Sequence, residues 1–210
     1  TRIAVTLEGG GIERVVVDLR YRLGTPEIGR VALDTPRLYG AFRDGEPSFG
    51  ALDAVFFAPS DEPAALPDLH LVLNDGRALI ETDYGPVGIK AEGAGPLNDG
   101  FDGIVAAVAP KLAFDQCQTG QASLYGSVTT ANGQPNFAGP LRLRDLTCAA
   151  SGALGAASMR QADIDVTLSA DSALSGVEAA LDLAIRQLAF DAGDVEEING
   201  DLRFQWRDAL

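Results

Sequence analysis

The stretch that decides the fold is Asp163-Ile164-Asp165-Val166-Thr167-Leu168. Ile164, Val166 and Leu168 alternate with Asp163, Asp165 and Thr167, a period of two. Successive side chains of an extended strand point to opposite faces, so this segment has one apolar and one polar face. The pattern recurs in both directions. Upstream, Val15, Val17, Leu19, Tyr21 and Leu23 alternate with Val16, Asp18, Arg20 and Arg22. Leu69, Leu71 and Leu73 alternate with His70, Val72 and Asn74, and Val87, Ile89 and Ala91 with Gly88, Lys90 and Glu92. Leu141 and Leu143 flank Arg142. Downstream, Ile198, Leu202, Phe204 and Trp206 alternate with Asn199, Asp201, Arg203 and Arg207. An antiparallel sheet with one solvated face has this pattern.

Turn signals punctuate the runs: Gly9-Gly10-Gly11, Asp44-Gly45, Asn74-Asp75-Gly76, Asn98-Asp99-Gly100, Asn132-Gly133 and Asn199-Gly200. Asn-Gly and Asp-Gly supply the positive φ angles that tight hairpins need. The spacing predicts an all-β chain, a long antiparallel meander of hairpins. Three stretches resist a strand reading. Asp61 to Pro67 is rich in Pro and Ala and acidic, a loop or linker. Ala149 to Ala157 holds mostly small residues, a loop or a weak strand. Ser172 to Leu188 reads both ways. Val177, Ala179, Leu181, Leu183 and Ile185 alternate as in a strand, whereas Val177, Leu181, Ile185 and Leu188 fit a helical stripe. One short helix near 172–188 therefore stays open. An internal repeat is visible between 38–53 and 124–141: Leu38-Tyr39-Gly40-Ala41 returns as Leu124-Tyr125-Gly126-Ser127, and Gly45-Glu46-Pro47-Ser48-Phe49-Gly50 as Gly133-Gln134-Pro135-Asn136-Phe137-Ala138. A repeated layer of hairpins is the expectation.

The chain of 210 residues carries 16 Lys and Arg against 30 Asp and Glu, a net charge of −14. Nucleic acid and anionic membrane surfaces need a cationic face, so neither is the expected partner. With one His and two Cys there is little material for His-based catalysis or a zinc cluster. No Gly-x-Ser-x-Gly elbow accompanies His70, which reads as a lone imidazole on a polar strand face. Gly93-x-Gly95 runs into Pro96 and makes no dinucleotide fingerprint. Asp191, Asp194, Glu196 and Glu197 lack the spacing of a calcium loop and read as a solvated acidic turn. Trp206 and Tyr125 are the aromatic candidates for stacking on a sugar. No catalytic residue, metal ligand or cofactor is nominated. No apolar run reaches the ~18 residues of a membrane span. Thr1 in place of a start Met reads as a piece of a longer or processed precursor. Cys117 and Cys148 are either two buried thiols or one disulfide, and a disulfide implies an oxidising compartment.

A meander with one apolar face must cover it with a second sheet, by barrel closure, or with a ligand. A β-sandwich for binding or adhesion, recognising sugar or protein through its loops, follows from the first choice.

Several strings resemble the AsmA-like envelope proteins, and within them the YdbH-like members. The segment from Tyr39 through Asp44-Gly45, Ser48 and Gly50 to Asp53 carries the first resemblance. Leu66-Pro67-Asp68-Leu69-His70-Leu71 with Asp75-Gly76-Arg77 carries the second. Glu81 through Gly93, then Asp99-Gly100-Phe101-Asp102-Gly103 and Val108-Ala109-Pro110-Lys111-Leu112, continue it. The likeness covers about residues 10–150 well and the rest loosely. It implies a segment, 1–210, of an inner-membrane-anchored protein whose repeated β-groove carries phospholipids across the periplasm of Gram-negative bacteria, without catalysis. The outer-membrane partner is left unnamed. It implies that Cys117 and Cys148 form a disulfide. The meander would curve into an open groove lined by Val15, Val17, Leu19, Tyr21, Leu69, Leu71, Leu73, Val87, Ile89, Ile164, Val166, Leu168, Phe204 and Trp206, whose role is contact with acyl chains. At ~4.8 Å per strand, 14–16 strands would extend roughly 70 Å.

Overall fold

The computed structural model describes residues 2–7, 10–22, 25–50, 53, 65–149 and 155–207. Period-two segments become strands throughout. They are β1 (Arg2–Leu7), β2 (Gly10–Arg22), β3 (Thr25–Asp34), β4 (Arg37–Arg43), β5 (Glu46–Ser48), β6 (His70–Thr82), β7 (Gly85–Pro96) and β8 (Asp102–Ala109). They continue as β9 (Leu112–Phe114), β10 (Cys117–Thr119), β11 (Gln121–Ala131), β12 (Gln134–Cys148), β13 (Ala157–Ala170), β14 (Gly176–Phe190) and β15 (Gly193–Arg207). All fifteen lie in one sheet, in the order β15-β14-β13-β12-β11-β8-β7-β6-β3-β2-β4-β5, with β1 on the far side of β2. The sheet is open, with β1 and β15 at its ends, so a two-sheet sandwich is not formed by the described residues.

Several strands are collinear parts of longer ones. β3 pairs with β6 through Arg30↔His70 to Asp34↔Asn74, and β4 continues on the same edge through Arg37↔Arg77 to Phe42↔Thr82. Likewise β9 continues β8 and β10 continues β11, broken at Pro110-Lys111 and Gly120. Counted side by side, eleven positions span the sheet. At ~4.8 Å each this is about 50 Å, shorter than the strand count alone predicts.

The structure corrects the sequence reading in several places. The pairings of β6 with β3 and β4 are parallel, so the meander is interrupted once. A parallel pair needs the intervening chain to cross back, and local turn signals carry no mark of that. Of the linker, Ala65–Pro67 lies outside any strand, and 61–64 lies outside the described residues. Residues 150–154 also lie outside the described residues, while Ala157 opens β13. The helix left open near 172–188 is strand β14 from Gly176 onward, paired on both edges with β13 and β15. Two flanking ladders outweigh the helix propensity of its alanines. Asn74-Asp75-Gly76 is a bulge within β6, with Asp75 at φ 46°, rather than a chain reversal. Asn199-Gly200 runs straight through β15. Asp44-Gly45 and Asn132-Gly133 do reverse the chain, with φ of 53° and 82° and of 53° and 76°. Positive φ at both central residues marks the hairpin turn that suits strand twist.

Candidate functional site

Register carries apolar residues from strand to strand on one face. Val15 lies opposite Leu33, Leu33 opposite Leu73, Leu73 opposite Gly93 and Gly93 opposite Gly103. The same row continues through Val128, Phe137, Leu168 and Ala179 to Phe204. No polar side chain interrupts it. A second row runs from Leu38 through Ala78, Ile89, Ala107, Leu124, Leu141, Ile164 and Leu183 to Gly200. The polar partners of these strands, such as Arg142, Asp163 and Asp165, occupy the other face.

Of the sequence candidates, Val15, Leu73, Leu168 and Phe204 share the first row and Ile89 and Ile164 the second. Val17 and Leu71 lie one step along, both facing Val31. Val87 lies opposite Ile80, Val166 opposite Leu181 and Trp206 opposite Val177. Leu19 follows a bulge, faces Ile28 and is 57% exposed. Tyr21 is opposite Pro26 in register, and its side chain lies outside the described ones. Leu69 just precedes β6, its carbonyl accepting the Leu97 N–H at 2.8 Å. Tyr125 stands on the polar face beside Lys90 and Ala106, away from Trp206, so the two aromatics do not build one sugar platform.

No second layer of the described residues covers the apolar face. Among the described residues, the buried apolar ones are Ala109, Ala122, Met159, Ala162, Val166 and Ala179, and no side chain is fully enclosed. The accessible surface is 13322 Å². A compact monomer of 21.9 kDa would expose about 9,300 Å².

The buried residues mark a line that the sequence reading missed. Ala109, Ala122, Leu143, Ala162, Ile185 and Ile198 face one another across six neighbouring positions. Three residues further along, Leu112 faces Thr119, and Leu146, Met159, Leu188 and Val195 face one another. Between the rows every strand spends two residues: Pro110-Lys111, Gly120-Gln121, Arg144-Asp145, Arg160-Gln161, Arg186-Gln187 and Glu196-Glu197. All but Gln161 of these are exposed. Asp145 and Gln187 take positive φ, both 53°. Two outward residues where alternation allows one lengthen the outer arc, so each strand bends toward the apolar face. The bends align into a crease, and the deepest residues, Thr119 and Ala162 at 2% exposed, flank it. A signal was present: doubled polar residues inside otherwise alternating runs.

Aromatic rings fill the gaps that glycines leave. A Cβ on Gly40 would meet the Phe49 ring at 2.5 Å, and one on Gly126 the Phe137 ring at 2.5 Å. The Phe101 ring lies over Gly93 and Gly103, closing the break in the first row. On the polar face Asp75 holds Arg37, Arg77 and Lys90, with N···O distances of 3.0, 3.3 and 3.7 Å. The hydrogen bond from Arg37 first, with those of Arg77 and the charges of both guanidiniums, holds the Asp75 carboxyl below its ordinary pKa against a smaller opposing effect of burial. Asp34 is lowered in the same way, by Asn74 and then Arg14. Cys117 and Cys148 stand opposite each other on β10 and β12 and form a disulfide, with Cα atoms 4.0 Å apart. Asp191 accepts the Ala156 N–H at 2.9 Å, and Asp194, Glu196 and Glu197 lie on β15. Among the described residues no helix is long and apolar enough to cross a membrane.

A protein-family model described as "YdbH-like: Intermembrane phospholipid transport protein YdbH" matches residues 5–210. The chain belongs to the YdbH-like family. No curated protein and no solved structure matches it. YdbH-like membership gives this open, one-faced sheet a role in phospholipid transport within the cell envelope. The YdbH-like match extends past residue 150, where the strings quoted from the sequence are only loosely similar, to the final strand.

Proposed function

We propose that residues 1–210 form one segment of a lipid-conducting groove, part of an inner-membrane-anchored protein that moves phospholipids across the periplasm between inner and outer membranes. The observation that carries this reading is the unbroken apolar row from Val15 to Phe204 on a face that no second sheet of the described residues covers. The fourteen sequence candidates, Leu71 and Ile89 among them, serve as acyl contacts. Each buried CH₂ contributes about 0.8 kcal/mol. A 16-carbon tail therefore gains at most ~12 kcal/mol before ordering costs. Equivalent rows without one deep pocket favour sliding over tight holding. No bond is made or broken in this task, so no catalytic group is required. The hairpins at 38–53 and 124–141 are then two copies of one unit, each closing on a Phe ring laid over a Gly.

The test is Leu71→Asp and Ile89→Asp. Both variants are expected to keep the strand signal in circular dichroism and to lose co-purified phospholipid in native mass spectrometry. Global unfolding of both would mean that the face is a sealed core, since a buried unpaired charge costs several kcal/mol. Absence of lipid from the unmodified protein would equally end the reading.

A further inference from the structure

One row on the polar face carries its charges in order. Arg37 lies opposite Arg77, Arg77 opposite Lys90, Lys90 opposite Ala106 and Ala106 opposite Tyr125. The register of Leu124 with Leu141 puts Pro140 beside Tyr125. Pro140 then faces Asp165, Asp165 faces Asp182 and Asp182 faces Asp201. Three cations stand at one end of this row and three carboxylates at the other, with Tyr125 midway between them. The three aspartates are exposed. Among the described residues none of them has an ion-pair partner. Like charges directly opposite on neighbouring strands repel. At the other end Asp75 alone answers Arg37, Arg77 and Lys90, which leaves a positive surplus. Around the midpoint the polar face turns apolar, with Ile104, Val108 and Tyr125 at 38%, 41% and 56% exposed.

We propose that this face docks a second copy of the same chain, sheet against sheet, about a two-fold axis running along β11 over Tyr125. A two-fold contact presents the same patch from both copies. This axis reverses the row, so Lys90 meets the partner's Asp165, Arg77 the partner's Asp182 and Arg37 the partner's Asp201. Tyr125 meets the partner's Tyr125 at the centre. The flanking rows accept the same operation. Ile104 meets the partner's Ala138 and Glu92 the partner's Thr167, while Val108 meets the partner's Arg142 and Gly88 the partner's Asp163. None of these meetings sets like charges together. Stacked sheets lie ~10 Å apart, a gap that a lysine and an aspartate span between them. Nine strand positions and three rows cover roughly 800 Å² per copy, the usual size of a stable interface. The apolar rows lie on the opposite face and stay uncovered, so the inference goes beyond the groove reading and does not depend on it.

Sedimentation velocity tests this on protein carrying Leu202→Lys and Phe204→Lys, which suppress pairing through the β15 edge. A species of two chains is expected, and added salt should weaken it. Lys90→Asp alone and Asp165→Lys alone should each raise its dissociation constant about tenfold, because each replaces two attractions with two repulsions. Both changes in one chain exchange the charges and should restore the dimer. Arg77→Asp with Asp182→Lys repeats the exchange one pair further out, and circular dichroism shows which variants keep their strands. Monomers at every concentration overturn the proposal. So does a dimer indifferent to each single change, or one that neither exchange restores in folded protein.

Discussion

Ala162 is 2% exposed at the crease, between Leu143 on one neighbour and Ile185 on the other. Its methyl is already almost wholly enclosed by these neighbours. Ala162→Leu is therefore expected to cost about 1–3 kcal/mol by overpacking. Urea unfolding measures it, and a neutral result would mean that the crease is loose. Asp75 makes a second residue-scale prediction. Its carboxyl titrates lower in the folded chain than in the unfolded one. A depressed carboxylate stabilises above its unfolded pKa, and that contribution is lost as pH falls through the folded one. The melting temperature should hold steady from neutral pH down to the ordinary carboxylate range and fall below it. Asp75→Asn should lower the plateau and flatten the fall. An unchanged pH profile would show that Arg37, Arg77 and Lys90 are solvated independently.

Among the elements, β9 and β10 are the shortest pair, three residues each. They are tied down by the disulfide to β12, across a sequence separation of 31 residues. A loop of that size predicts about 3–4 kcal/mol of stabilisation in the chain-entropy account. Cys117→Ser with Cys148→Ser should lower stability by that order and release the amides of 112–119 to hydrogen exchange before those of β12. Equal exchange in both regions would show that the ladder alone holds the pair. At this scale the sequence is legible unevenly. The alternation of Ile164, Val166 and Leu168 places strand β13 and its apolar face correctly, because side-chain alternation is a property of the strand itself. Segment 172–188 stayed ambiguous because its apolar residues satisfy both periods, and only the ladders to β13 and β15 decide. Asn199-Gly200 misled for a related reason. A turn dipeptide reverses the chain only where strands of matching length flank it, and here β14 demands a partner as long as itself.

For the whole molecule, the surface of 13322 Å² is the quantity to explain. A single uncovered sheet keeps both faces and two edges in contact with solvent. β15 ends it with Val195, Ile198, Leu202, Phe204 and Trp206 all exposed on the apolar side. Long apolar edges pair with other chains. The protein is expected to self-associate with rising concentration in analytical ultracentrifugation, and Leu202→Lys with Phe204→Lys should reduce this. Persistent monomers in both would mean that the edge is protected.

The sequence by itself determined that this chain is made of strands, each with one apolar and one polar face, and that it holds a single His and two Cys. Those are local properties, set by side-chain alternation and composition. Tertiary structure decided the rest. Parallel pairing of β6 with β3 and β4, the crease across six positions and the uncovered apolar face all depend on hydrogen bonds between residues far apart in the chain. A strand's own pattern says which side is apolar but carries no information about whether another layer arrives to cover it.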